Sequence, residues 1–146
     1  MGSNTVLSRR QGDGNLVTPG GDQAVFCKVA TVTLAQINAG YTIVDAIQGK
    51  QLRIVGLACK VTGGFTTADD IRVGDTAASP VVAATYAIAG VTDGAKFDAD
   101  NTISNQTIGA GYAAALTVSK GIQVYKTGSA AAGGTSITFV LLYQIV

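Results

Sequence analysis

The sequence predicts an all-β protein: a two-sheet antiparallel sandwich, with a jelly roll as the favoured topology, and an extended N-terminal arm. Three observations carry this prediction. Residues 24–146 consist of short runs rich in valine, isoleucine, threonine and alanine, separated by glycine-containing turns. All nine acidic residues are aspartate, which prefers turns to helices, and the helix former glutamate is absent. About eight strands fit this spacing, which favours a sandwich over a helical or α/β fold.

Length and charge limit the kinds of partner. The 146 residues suit one domain, so residues 1–23 are interpreted as the arm and residues 24–146 as the sandwich. Charged residues make up 13% of the chain and the net charge is +1, so no attraction to nucleic acid or to an acidic membrane surface is expected. A surface with so little charge favours association with copies of itself or with a larger assembly.

The first half of the domain is predicted as three strands and a helical corner. Residues 25–34 form a long strand rich in β-branched residues. Thr33 can cap a single helical turn that Gly40 ends, which predicts a short corner. Residues 41–46 resume a strand, and residues 51–62 form a second long strand after a turn.

The second half is predicted as further strands around a polar loop. Residues 70–75 and 81–88 are predicted to form strands, and residues 90–105 are predicted to form a long loop with a short strand near Lys96. Residues 112–118 and 122–126 are separated by a tight turn, which predicts a β-hairpin.

The last predicted strand, residues 135–146, is apolar on both faces. One face carries Ile137, Phe139, Leu141, Tyr143 and Ile145, and the other carries Val140, Leu142 and Val146. One face of an antiparallel sheet is normally exposed to solvent and polar. Because Val140, Leu142 and Val146 are apolar, they are predicted to lie at a subunit interface. The alternative is that a loop of the same chain covers them.

Residues 1–23 cannot form a core of their own. Glycine and polar residues dominate this segment, which leaves two alternatives, a disordered tail or an extended arm. At about 3.3 Å per residue, an arm could reach several tens of ångströms across a neighbouring subunit. The candidate contact residues in it are the apolar side chains and the one pair of adjacent arginines: Val6, Leu7, Arg9, Arg10, Leu16 and Val17.

The residue inventory argues against an enzyme and predicts no catalytic, cofactor or metal site. The chain has no histidine, which removes the commonest general base and any Ser-His-Asp triad. Asp98, Asp100 and Asn101 could offer oxygens to a calcium ion, but turn formation is the ordinary role of such residues. Cys27 and Cys59 lie in apolar strand patterns and are predicted to be small buried hydrophobic residues. A disulfide between them is the alternative if their strands pair.

Several segments resemble small structural proteins of tailed bacteriophages. They are residues 32–44, 49–56, 61–65, 119–129 and 143–145. Within them, turn and strand patterns carry the resemblance, so no binding residue can be transferred.

The resemblance implies a capsid decoration, or cement, protein. Such a protein would bind the outer face of the major capsid protein shell, commonly as a homotrimer, and would be located on the capsid exterior. Another virion part, such as a tail or head-fibre component, remains an alternative. A carbohydrate-binding β-sandwich module is the second alternative.

Overall fold

The protein is a two-layered β-structure with one helical turn, as seen in a computed structural model that describes residues 24–67, 70–101 and 105–146. The arm and its candidate contact residues lie outside these ranges. In chain order the elements are β1 (Phe26–Thr33), α1 (Leu34–Ala39), β2 (Tyr41–Val44), β3 (Leu52–Thr62), β4 (Asp70–Asp75), β5 (Val82–Tyr86), β6 (Lys96–Asp98), β7 (Gln106–Ile108), β8 (Ile122–Thr127) and β9 (Ser136–Ile145).

The strands form two antiparallel sheets, which confirms the predicted sandwich. The first sheet has the order β1-β9-β3-β6, and the second has the order β2-β8-β4-β5-β7. Every pair of neighbouring strands is antiparallel. The first four strands alternate between the two sheets, so consecutive strands do not pair with each other. Their partners are instead far away in the chain, as when β1 pairs with β9.

The predicted helical corner is present, and it joins the two sheets, because β1 and β2 belong to different ones. Thr33 caps α1: its hydroxyl accepts a hydrogen bond from the Gln36 N–H, and the Gln36 side chain accepts one from the Thr33 N–H. Gly40 ends the helix at φ 85°, a conformation that glycine adopts readily. Ile37 is fully buried, so one apolar side chain anchors this turn to the core.

The core lies between the sheets and has an aromatic centre. The Tyr86 ring lies 5.3 Å from the Phe97 ring and 6.4 Å from the Phe139 ring, measured between centroids. Each of the three rings comes from a different strand and is buried. Since aromatic pairs at such separations stabilise beyond their buried area, these contacts help to hold the sheets together.

A bulge keeps β3 in register with the core. The pairing of β3 with β9 shifts between Ile54 and Gly56, so Val55 is the extra residue. Without this insertion the period of two would turn Leu57 away from the core. Both Ile54 and Leu57 are buried, as the bulge requires.

The predicted hairpin at residues 112–126 is wrong. β8 pairs with β2 and β4, whereas Tyr112 and Ala115 form isolated bridges to Ile54 and Arg53 of β3. Ala113 has φ 62°, which interrupts any extended strand at this point. The segment before β8 therefore crosses toward β3 instead of forming a strand beside β8.

The polar region before it contains one predicted strand and one that was missed. β6 lies where a short strand was expected, near Lys96. β7 was not predicted, and it pairs with β5 at the edge of the second sheet. Three residues are too few for alternation to be visible in a sequence.

Candidate interaction face

The outer face is the surface of the first sheet that points away from the second sheet. Side chains alternate between the two sides of a strand, and Ile137, Phe139 and Leu141 of β9 are buried in the core. The residues between them, and their partners on neighbouring strands, therefore point outward. The outer face comprises Cys27, Val29, Thr31, Gly56, Ala58, Lys60, Lys96, Asp98, Thr138, Val140 and Leu142.

Two rows of the outer face are apolar. The register aligns Cys27, Leu142 and Gly56 in one row, and Val29, Val140 and Ala58 in the next. The exposed fractions of Val29, Val140 and Leu142 are 60%, 40% and 37%. These six residues, which we call the apolar patch, lie on three adjacent strands. Contiguous exposed apolar surface of this kind is typical of interaction sites.

Polar and charged residues border the apolar patch. In the third row the hydroxyls of Thr31 and Thr138 lie 2.9 Å apart. Lys60, in the same row, lies opposite Lys96 of β6. Like charges at directly opposed positions repel each other, so this corner of the face favours a partner that supplies negative charge.

A shallow groove follows this border. Its volume is about 620 Å³, and Ala58 and Val140 form part of its apolar lining, together with the charged residues Lys60, Lys96 and Asp98. A second hollow of about 190 Å³ shares Ala58, Asp98 and Val140 with it and extends to Gly56 and Leu142. The groove and the apolar patch are therefore parts of one continuous surface.

Gly56 lets Leu142 lie close to the sheet. A Cβ atom at Gly56 would be 2.8 Å from Leu142 Cδ1, which is too close for two carbon atoms. The absence of a side chain at Gly56 therefore sets the position of Leu142 within the apolar patch, a role that the sequence pattern did not reveal.

The outward face of the second sheet is polar, in contrast. Its register aligns Arg72 with Tyr125 on one side and with Thr85 on the other, and Thr85 with Thr107. The Arg72 guanidinium lies 3.5 Å from the Asp70 carboxylate. Only one of the two outward faces is thus suited to apolar contact.

The three predicted interface residues lie on the same side of β9. Val140 and Leu142 are neighbours within the apolar patch. Val146 shares their orientation but lies beyond Gln144, and its backbone exchanges hydrogen bonds with Gln51 at 2.8 and 3.2 Å. The other four members of the apolar patch, Cys27, Val29, Gly56 and Ala58, were missed, because a sequence does not reveal which strands flank β9.

The cysteine prediction is right for Cys59 and wrong for Cys27. Cys59 is buried, and burial raises its pKa to about 12, so its thiol stays neutral. Cys27 is exposed because it lies on the outer face of β1, a strand at the edge of its sheet. The two thiols are free, as expected for cysteines on separate strands and opposite faces.

The carboxylates of Asp98 and Asp75 accept hydrogen bonds from loop residues. An oxygen of the Asp98 side chain accepts the Asp100 N–H at 3.0 Å, which is a turn contact. The carboxylate of Asp75 is buried and accepts hydrogen bonds from Ala77, Val81 and Thr117. Among the described residues there is no group of three acidic, cysteine or histidine side chains placed to hold a metal ion.

Two further findings concern membrane-spanning helices and similarity to known proteins. In the described part of the chain, no helix has the length and apolar character needed to cross a membrane. Comparison of the sequence with family models and with curated proteins found no match.

Proposed function

We propose that this protein is a virion structural protein, a capsid decoration or cement protein that binds the outer face of the major capsid protein shell as a homotrimer. The observation that carries the proposal is the apolar patch on one outward face of a sandwich whose other outward face is polar. The resemblance of several segments to structural proteins of tailed bacteriophages supports the same role.

The asymmetry of the two faces favours adhesion. Burying Val29, Val140 and Leu142 against a partner stabilises the complex by about 25 cal/mol per Å² of apolar area removed from water. The net charge of the chain is small, so little electrostatic repulsion opposes association between copies. We assign Val140 and Leu142 to contacts between copies, with Val146 at the margin of the same contact.

The strand orders support the finer assignment of a jelly roll. Strands β1-β9-β3-β6 face strands β2-β8-β4-β5, the order expected when two Greek keys wrap into two sheets, with β7 as an added edge strand. Viral capsid domains and lectins share this architecture, so the role rests on the surface and not on the fold.

The arm supplies the contacts to the shell in this proposal. Residues 1–23 carry the apolar side chains and arginines named above as candidates, and they precede β1 at one end of the first sheet. A protein that binds only the assembled shell stabilises it by mass action. Neither the binding of the arm to the shell nor the stabilisation of the shell needs a cofactor or a catalytic group.

Heating of purified particles tests the proposal. Particles of the phage that encodes this chain, prepared with and without it, should differ in the temperature at which they release DNA, and adding the protein back should restore the higher temperature. Removal of residues 1–22 should abolish the rescue. Equal release temperatures, or full rescue by the shortened chain, would contradict the respective parts of the proposal.

Antibody labelling of intact particles distinguishes the location. Label over the whole head surface is expected for a decoration protein. Label confined to the tail or to head fibres would replace this assignment with the other virion role.

A further inference from the structure

The loop between β2 and β3, residues 45–50, presents an apolar side chain and a carboxylate at one end of the sandwich. All its residues are exposed. Ile47 is 37% exposed, and Asp45 lies two positions before it. Among the described residues, no other large exposed apolar side chain has an acidic residue within two positions. This loop therefore combines two features that an interaction with a partner can use.

Hydrogen bonds hold the loop in a fixed shape. The N–H of Lys50 donates to the Ile47 carbonyl at 3.0 Å, which closes a turn. The Ser119 hydroxyl accepts the N–H of Gly49 at 2.8 Å, and the Ser119 N–H donates to the Lys50 carbonyl at 2.8 Å. Because the loop is already ordered, little conformational entropy is lost when a partner binds it.

The groove on the outer face has the complementary features. Ala58 and Val140 supply apolar lining, and Lys60 and Lys96 stand beside it at directly opposed positions. No carboxylate of a described residue forms an ion pair with either ammonium group. Asp98 also lines the groove, but its carboxylate accepts a backbone N–H of its own turn. The groove therefore favours a partner with an apolar side chain next to a carboxylate.

The spacing of the two sets of groups agrees. Ala58 and Lys60 are two residues apart along β3, so the apolar row and the lysine row are separated by about 6.6 Å. Asp45 and Ile47 are also two residues apart, and two residues of chain span up to about 7 Å. One loop can therefore contact Ala58 with its apolar side chain and Lys60 with its carboxylate at the same time.

A chain cannot bring its own loop into its own groove. The loop directly precedes β3, whereas Lys60 lies near the far end of that strand. Leu52 and Lys60 are eight residues apart, which corresponds to about 26 Å of strand. A loop that occupies the groove therefore belongs to a second copy of the chain.

We propose that residues 45–47 of one copy bind in the groove of the next copy, with Ile47 against the apolar lining and the Asp45 carboxylate at the two lysines. This inference rests on the proposed homotrimer and names the surfaces that join its copies. The loop and the groove are different surfaces, so each copy provides one loop and one groove. Such head-to-tail contacts close into a ring when the rotation between copies allows it, and three of them complete the trimer.

Charge exchange in the full-length protein tests the contact between loop and groove. Asp45→Lys should raise the concentration at which half of the trimer dissociates by at least about tenfold, because like charges then meet across the contact. Adding Lys60→Asp and Lys96→Asp to the same chain should bring this concentration back toward that of the unmodified protein, because opposite charges meet again. Sedimentation equilibrium measures the dissociation of each variant.

Asp70→Lys is the matched control. It changes the net charge of the chain by the same amount as Asp45→Lys, but it lies beside Arg72 on the second sheet, outside the proposed contact. It should leave the dissociation concentration of the trimer unchanged. Asp45, Lys60 and Lys96 are all exposed, so their variants should fold, which circular dichroism checks.

Two results would overturn the contact between loop and groove. One is an Asp45→Lys protein that associates like the unmodified protein, and the other is a charge-exchanged protein that associates no better than Asp45→Lys alone. Either result leaves the decoration role intact, because the heating of particles does not depend on how the copies meet. An unmodified protein that sediments as a single chain at every concentration would overturn both this contact and the proposed homotrimer.

Discussion

Replacement of Asp75 by asparagine is expected to destabilise the sandwich by about 3–5 kcal/mol. Asp75 ends β4 and is fully buried. One carboxylate oxygen accepts the N–H groups of Ala77 and Val81, both at 3.1 Å. The other accepts the N–H of Thr117 at 3.0 Å and its hydroxyl at 2.5 Å. This side chain therefore holds two loops at one end of the sandwich.

The magnitude follows from what asparagine cannot accept. If the amide oxygen keeps the bonds to Ala77 and Val81, the amide NH₂ faces the N–H of Thr117, and two donors confront each other. A hydrogen bond to a charged group contributes about 1.5–3 kcal/mol, and an unsatisfied buried donor costs about 1–3 kcal/mol. Urea unfolding measures the change in the free energy of unfolding.

Asp70→Asn is the matched control for this measurement. Asp70 is partly exposed and lies 3.5 Å from Arg72, so its loss should cost less than about 1 kcal/mol. If the free energy of unfolding of Asp75→Asn lies within about 1 kcal/mol of that of the unmodified protein, the hydrogen bonds of Asp75 do not stabilise the sandwich as proposed.

The remaining predictions concern acid, packing and thiol access. Burial alone would raise the pKa of Asp75, but the hydrogen bonds from Thr117, Val81 and Ala77 together outweigh it and hold this pKa below its ordinary value. The carboxylate of Asp75 therefore binds a proton at a higher pH in the unfolded chain than in the folded protein. Ionised Asp75 stabilises the folded protein above about pH 4, and this stabilisation is lost as the pH falls through the folded-state pKa. The stability difference between the unmodified protein and Asp75→Asn should shrink in acid; a constant difference would contradict this. Gly134→Ala would place a Cβ 2.1 Å from Phe65 Cε1 and should lower the melting temperature by several degrees, at a cost of about 1–3 kcal/mol, whereas Gly64→Ala, whose nearest neighbour is 3.6 Å away, should not. Mass spectrometry after alkylation of the folded protein should find Cys59 unmodified until denaturant is added, and equal labelling of Cys27 and Cys59 would be inconsistent with the buried position of Cys59.

Local signals in the sequence were sufficient for the long elements. β1, β3 and β9 are long runs rich in β-branched and other apolar residues, and the Thr33 cap with Gly40 marks α1. Each of these signals lies within a few residues of the element that it predicts. For that reason the fold class and the two apolar faces of β9 could be predicted.

The errors arose where distant segments decide the structure. Residues 112–118 are mostly apolar and precede a tight turn, as a hairpin strand would, but Ala113 adopts a positive φ and the segment bridges to β3. Cys27 lies in an apolar pattern and is exposed, because β1 occupies the edge of a sheet. Likewise, Val29 and Ala58 join Val140 only through pairings between strands far apart in the chain, so the apolar patch as a whole could not be predicted.

Sedimentation equilibrium most directly tests whether the apolar patch is an adhesive surface. The unmodified protein should sediment at three times the 14.7 kDa mass of one chain, and Val140→Asp with Leu142→Asp should sediment as a single chain. Thr42→Asp with Thr107→Asp, on the second sheet, should remain associated. An unmodified protein that stays at the mass of one chain at every concentration, or a doubly substituted patch that still assembles, would contradict an adhesive role for this face.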